Sequence, residues 1–194
     1  TQQETLFPYT TLFRSGSLGH ISFLSGGKSV LGDNRKPGEI SRISDLNTLI
    51  LETSSEVNLD AGSFILRGES DFSGNARLRF QKPYPEISYW WRDIFWEAQG
   101  IRIEDQVSFQ LGQRGAPAFI WNLGYRQPLE FQGSDRRYIV EGETHAFIVD
   151  ANQSLNVSLQ GTEGGRGVPQ LWIRPKPGQA SYKMVTRIVP RRKD

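Results

Sequence analysis

The segment Ala76-Arg77-Leu78-Arg79-Phe80 alternates apolar and polar side chains, and it decides the fold class of this 194-residue chain. Successive side chains of a β-strand point to opposite faces of a sheet, so this pattern places the three apolar residues on a buried face and the two arginines in water. The same period of two recurs in the runs Val57-Asn58-Leu59, Ile101-Arg102-Ile103-Glu104, Val107-Ser108-Phe109-Gln110-Leu111 and Leu155-Asn156-Val157-Ser158-Leu159. Such half-buried strands are typical of antiparallel sheets with one solvated face.

Other short apolar stretches predict further strands, and clusters of Gly, Asn, Asp and Pro between them predict turns. These strand candidates are 20–24, 48–52, 63–67, 119–123, 138–141, 145–149, 171–174 and 182–189. Short strands separated by Gly-rich turns predict a mainly β fold, an antiparallel β-sandwich or jelly-roll-like domain.

Residues 85–100 are the exception to this pattern, because they fit a short aromatic helix as well as a two-stranded hairpin. Ser88 could cap the helix N-terminus and Gly100 could take the left-handed position after its last turn. The hairpin stays open as the alternative, because aromatic residues also favour strands. A boundary between two lobes is expected near residues 83–100, and the two lobes can equally be halves of one sandwich.

Residues 5–15 read Thr-Leu-Phe-Pro-Tyr-Thr-Thr-Leu-Phe-Arg-Ser, which is the codon-for-codon translation of a common short-read sequencing adapter. We therefore expect residues 1–15 to be a non-native leader in a conceptual translation of metagenomic or draft DNA. Residues 16–194 are then the β-sandwich domain, and the native N-terminus and any signal peptide lie outside the sequence.

The composition predicts a folded chain with a packed core, because 37% of the residues are hydrophobic and 11% are aromatic. The absence of Cys excludes a disulfide framework, thiolate zinc sites and a cysteine nucleophile. The absence of Cys does not determine the cellular compartment, and we favour an extracellular or cell-surface location. No apolar run approaches the roughly 20 residues of a membrane-spanning helix.

The C-terminal segment is basic, with eight Lys and Arg residues from Arg166 onward against the single acidic Asp194. Such a cluster can mark contact with a polyanion. The candidate polyanion-binding residues are Lys183, Arg187, Arg191, Arg192 and Lys193. The alternative is a solvated terminal strand whose charge complements the more acidic body, and nucleic acid is not a favoured partner.

No complete cofactor or metal motif is present, and we expect neither. Ser25-Gly26-Gly27-Lys28-Ser29 resembles the end of a phosphate-binding loop, but Ser22 stands where the first Gly of that motif belongs and no helix is predicted to follow. A hairpin turn is the better interpretation. The only histidines, His20 and His145, form no paired metal motif, and His145 is expected at a strand end with local bonding.

Enzymatic activity is not expected, although a hydrolase remains an alternative. A glycosidase needs two carboxylates flanking the sugar bond, and Glu97, Glu104 and Asp105 lie near the aromatic segment. Proximity in sequence alone does not place them across a groove.

Aromatic residues concentrate in the middle of the chain and suggest recognition, because flat rings can stack on sugars or anchor an interface. Large rings in a small domain can equally form its core. The candidate ligand-binding residues are Trp90, Trp96, Trp121 and Tyr125.

The first functional hypothesis is a non-enzymatic interaction or structural module, such as a cell-surface, envelope or virion component with a protein partner or a second copy of itself. The alternatives are a carbohydrate-binding module that uses the aromatic rings, and polyanion binding by the basic C-terminal segment.

Overall fold

A computed structural model of the protein describes residues 21, 23–25, 28–32, 47–52, 54, 56–58, 62–70, 73–97, 99–113, 115–124, 130–142, 144–160 and 169–191. Every regular element within these residues is a β-strand. The predicted mainly β fold class is therefore confirmed. The described part of the chain contains no helix that could span a membrane.

The strands alternate along the chain with turns and short loops. In chain order they are β1 (Phe23–Ser25), β2 (Lys28–Leu31), β3 (Leu49–Leu51), β4 (Gly62–Ser70), β5 (Ser73–Gln81), β6 (Ile87–Glu97), β7 (Gly100–Phe109), β8 (Pro117–Asn122), β9 (Glu130–Ser134), β10 (Arg137–Glu141), β11 (His145–Ala151), β12 (Leu155–Gln160), β13 (Gln170–Pro175) and β14 (Ser181–Pro190).

Two antiparallel sheets of unequal size form the sandwich. The large sheet has eight strands in the order β4-β5-β6-β7-β14-β11-β10-β9, and the small sheet has the order β12-β13-β8-β3. Strands β1 and β2 form a separate hairpin, which an isolated bridge between Leu31 and Leu123 connects to the chain just after β8. Strands on both sides of residues 83–100 belong to the large sheet.

The core lies between the two sheets and is built from the inward-facing residues of each. Trp90 and Ile94 of β6 belong to the same buried cluster as Trp121 of β8 and Ile173 of β13. Burying each large aromatic side chain removes roughly 150–250 Å² from water, so these contacts contribute much of the sheet-to-sheet adhesion.

The aromatic segment 85–100 is a strand hairpin, and the expectation of a short helix there is wrong. Strand β6 pairs with β7 in antiparallel register, with Glu97 opposite Gly100 at the turn. The hairpin alternative is confirmed. Period two holds in β6, but Arg92 occupies a buried position and Trp91 an exposed one, which disguised the alternation.

Most of the predicted strands are present, with some differences in extent. The runs predicted at 101–104 and 107–111 fall in one continuous strand, β7, which ends at Phe109, so that Gln110 and Leu111 lie beyond it. The hairpin expected at residues 25–29 is confirmed, because Ser25 pairs with Lys28. Strand β9 was not predicted, because Gly133 and Ser134 at its end are residue types typical of turns. Residues 57 and 58 lie outside the strands.

Candidate functional site

Three of the four predicted ligand-binding aromatic residues are in the core. Trp90 and Trp121 are 0% exposed and Trp96 is 9% exposed, so none presents a ring face to a ligand. The expectation that they form an exposed platform is therefore corrected, and the alternative of core packing is confirmed for them. Tyr125 lies outside the described residues.

The rings of Trp90 and Trp121 enclose a buried ion pair. The Arg92 guanidinium carbon lies 4.8 Å from the centre of the Trp90 ring and 4.7 Å from that of Trp121. Arg92 Nε donates to Asp105 Oδ1 at 2.8 Å and Nη2 donates to Asp105 Oδ2 at 3.1 Å, and Trp90 Nε1 also donates to Oδ1 at 2.8 Å. Asp105 is therefore buried in the core, on the opposite face of β7 from Glu104. The two carboxylates do not form a pair on one surface, as a glycosidase would need.

The face of the large sheet that points away from the small sheet, here the outer face, carries an ordered arrangement of aromatic and charged side chains. Because the strands pair in register, these side chains form rows across the strands. The platform row is Arg79, Trp91, Gln106 and Lys183. The acidic row contains Asp93, Glu104 and Asp150. The groove row is Phe95, Arg102 and Arg187.

Trp91 is the exposed aromatic ring of the platform row. Its side chain is 40% exposed and stacks on Tyr89 with ring centres 4.6 Å apart and planes inclined by 27°. The Arg79 guanidinium carbon lies 5.2 Å from the Trp91 ring centre. Gln106 Nε2 donates to the Tyr89 hydroxyl at 3.2 Å. These neighbours on the same face therefore fix the orientation of a ring that stays 40% exposed.

The groove row borders an open depression of about 290 Å³ at the end of the sheet near the β6–β7 turn. Its lining includes Phe95, Glu97, Arg102, Arg187 and Val189. The Arg102 guanidinium carbon lies 4.5 Å from the centre of the Phe95 ring. Apolar side chains, two guanidinium groups and the Glu97 carboxylate thus line one concave surface.

The acidic row holds the arginines of the two flanking rows in place. Asp93 Oδ1 lies 2.7 Å from Arg79 Nη2, and Asp150 Oδ2 accepts a hydrogen bond of 2.6 Å from Arg187 Nη1. Glu104 lies 3.5 Å from Arg102. These pairs are partly exposed, so they orient the guanidinium groups and contribute little to stability.

The predicted polyanion-binding residues are only partly brought together. Lys183 and Arg187 lie on the outer face of β14, Lys183 in the platform row and Arg187 in the groove row, with Val185 between them at the level of the acidic row. Arg191 follows the end of β14 and pairs with Glu141 at 3.3 Å. Arg192 and Lys193 lie outside the described residues.

Sequence reasoning missed Tyr89, Trp91, Phe95, Arg79 and Arg102 as site residues. Strict alternation along β6 was the signal that could have found Tyr89, Trp91 and Phe95, because it separates the odd-numbered outer residues of that strand from the even-numbered inner ones. Arg79 and Arg102 lie opposite them on β5 and β7, a pairing that only the tertiary fold provides.

His145 begins β11 and is buried, with Nδ1 3.0 Å from Thr144 Oγ1, as the sequence predicted for a strand-end residue with local bonding. Burial lowers the pKa of its imidazole below the usual value. Within the described residues, no group of three or more His, Asp or Glu side chains is placed to hold a metal ion.

Comparison with solved structures identifies proteins of the same fold. A heparinase III, the BT4657 gene product with methylated lysines, matches with a TM-score of 0.65 and 14% identity, over 92% of this chain and 30% of that one. A mutant of the heparan sulfate lyase HepC from Pedobacter heparinus matches with a TM-score of 0.67 and 11% identity, over 96% of this chain and 32% of that one. Another heparinase III matches with a TM-score of 0.64 and 15% identity, over 89% of this chain and 29% of that one.

This chain therefore spans about a third or less of each of these structures. No protein-family model matches the sequence, and no curated protein sequence matches it significantly. At such low identities the likeness establishes a shared β-sandwich fold.

Proposed function

We propose that this chain is a glycan-binding β-sandwich module that recognises an anionic polysaccharide through the outer face of its large sheet, and that it acts by binding rather than by catalysis. The observation that carries the proposal is the platform row, where the exposed Trp91 ring has Arg79 on the neighbouring strand to one side and, beyond Gln106, Lys183 two strands away to the other. The proposal retains the non-enzymatic interaction module and assigns a glycan as its partner.

The chemistry of the outer face suits such a ligand. A flat aromatic ring offers apolar area to the C–H face of a pyranose at low entropic cost, since only two side-chain torsions must be fixed. Guanidinium groups match the geometry of carboxylates and sulfates through parallel N–H donors. Because Lys183 and Arg187 lie on the same face as Trp91, carbohydrate binding and polyanion binding become two properties of one surface.

The comparisons support the choice of a first ligand. The solved structures are named as heparinases and as a heparan sulfate lyase, and a sandwich of this fold forms part of each of them. Heparan sulfate is therefore the polysaccharide to test before others.

The test is isothermal titration of the chain with heparan sulfate and with a neutral polysaccharide. We expect saturable binding of heparan sulfate, and we expect Trp91→Ala to weaken it about tenfold, which corresponds to ~1.4 kcal/mol. Heparan sulfate recovered after incubation should have an unchanged chain length. Shortened chains would contradict the non-catalytic role.

Trp172→Ala is the matched control. Trp172 is half-buried and, like Trp91, has a guanidinium over its ring, with the Arg174 guanidinium carbon 4.4 Å from the ring centre, but it lies on the outward side of the small sheet. It should leave binding unchanged. Equal weakening by both substitutions, or by neither, would overturn the assignment of the platform row, provided that both variants melt as cooperatively as the parent.

A further inference from the structure

We infer that the groove row is a second, separate subsite for an anionic group of the same glycan, so that tight binding requires an oligosaccharide long enough to reach from Trp91 to Arg102 and Arg187. This inference rests on the proposed function and adds to it a length threshold and a spacing between charges. The outer face then has two binding positions, which the acidic row separates.

The separation of the two positions follows from strand geometry. Trp91 and Phe95 lie on the same face of β6 and four residues apart, which corresponds to about 13 Å along the strand. A disaccharide is too short to stack on the first ring and also enter the groove beside the second.

The two arginines of the groove have donors available for a ligand. They lie directly opposite each other on β7 and β14, and Arg102 faces Phe95 on β6, so the groove row crosses three neighbouring strands. Arg187 Nη1 donates a hydrogen bond to Asp150 Oδ2. Its Nε and Nη2 donate no hydrogen bond to any of the described residues. Within the same residues, the charged partner of Arg102 is Glu104, at 3.5 Å.

The acidic row restricts the chemistry of the glycan segment that lies between the two subsites. Asp93 and Glu104 are directly opposite each other and lie between the platform row and the groove row. A carboxylate or sulfate placed over them would be repelled, whereas sugar hydroxyls can donate hydrogen bonds to them. The face therefore selects a glycan whose anionic groups lie at both ends of the bound segment.

The experiment titrates heparan-derived oligosaccharides, from disaccharide to octasaccharide, into the parent chain and into Arg102→Met. For the parent we expect affinity to rise about tenfold once the oligosaccharide spans both subsites, because the second contact becomes intramolecular. Arg102→Met keeps an unbranched side chain opposite Phe95 but removes the charge. It should bind the disaccharide like the parent and lose most of the gain with length.

Arg136→Met is the control for net charge, since Arg136 lies in the exposed turn between β9 and β10, outside the groove. It should keep the parent's length dependence. If Arg102→Met shows the same rise as the parent, or if Arg136→Met loses it equally, the second subsite is overturned. The proposed function then still stands if Trp91→Ala weakens binding of the polymer. If the parent binds neither the polymer nor any oligosaccharide, both proposals fail.

Discussion

Arg92 and Asp105 form an ion pair with no solvent exposure in the interior of the sandwich. Removing two charges from water costs several kcal/mol each, and their attraction offsets that cost only when hydrogen bonds satisfy the remaining donors. Arg92 meets this condition, because Nη1 donates to the Asn47 carbonyl at 2.9 Å in addition to its contacts with Asp105. The Asn47 side chain in turn donates to the carbonyls of Ile21 and Gly32, both at 2.7 Å. The pair therefore connects the large sheet to chain segments outside it.

Replacing Arg92 by Met should lower the free energy of unfolding by about 3–5 kcal/mol, because the Asp105 carboxylate would stay buried without a counter-charge. Urea denaturation followed by tryptophan fluorescence measures this change. Arg77→Met is the control: Arg77 is 54% exposed and 3.9 Å from Asp93, so its loss should cost less than about 1 kcal/mol. Adding Asp105→Asn to Arg92→Met should recover part of the loss. Equal midpoints for Arg92→Met and Arg77→Met would show that the buried pair is not needed for stability.

At the scale of elements, the β6–β7 hairpin depends on Gly100. Its φ of +137° is rarely adopted by residues with a side chain, and a Cβ built there would lie 2.2 Å from the carbonyl oxygen of Ile188 on β14. Because β14 is the next strand of the sheet, the clash would push apart the strands that carry Arg102 and Arg187.

Gly100→Ala should therefore destabilise the chain by at least about 2 kcal/mol, from backbone strain together with the clash. Gly112 provides the comparison, since it also has a positive φ, +79°, but an added Cβ would meet nothing within 4 Å. Gly112→Ala should cost only about 1 kcal/mol. Thermal unfolding of both variants measures this difference, and we expect the lower melting temperature for Gly100→Ala. Similar melting temperatures would mean that a small shift of β14 relieves the clash.

Sequence alternation identified elements well where each strand places apolar residues inward, as in β5 and β12. It failed in β6, because that strand buries Arg92 and exposes Trp91, the reverse of what side-chain polarity predicts. The buried charge is tolerated only because Asp105, thirteen residues away on the paired strand, supplies its partner. The same inversion explains why the sequence points to Trp90 as a site residue and not to Trp91. Strand order, which brings Arg187 beside Arg102, is a property of the tertiary fold that no local pattern contains.

At the scale of the whole molecule, the sandwich divides the tryptophans into distinct environments. Trp90, Trp96 and Trp121 belong to the core, Trp172 is half-buried on the small sheet, and Trp91 is the most exposed. Emission should therefore be mostly blue-shifted and inaccessible to a soluble quencher, with a smaller accessible component.

We expect iodide quenching to show that this accessible component comes chiefly from Trp91. Trp91→Phe should remove most of it, whereas Trp172→Phe should remove little, because Trp91 is 40% exposed and Trp172 is half-buried on the small sheet, with the Arg174 guanidinium closer to its ring than Arg79 is to that of Trp91. Heparan sulfate should protect the accessible component in the parent if its sugar rings stack on Trp91, and a neutral polymer that does not bind should give no protection. A quenchable component that persists in Trp91→Phe would place the accessible ring elsewhere on the molecule. Protection by heparan sulfate that also persists in that variant would mean that the glycan covers a different face from the one that carries the platform row.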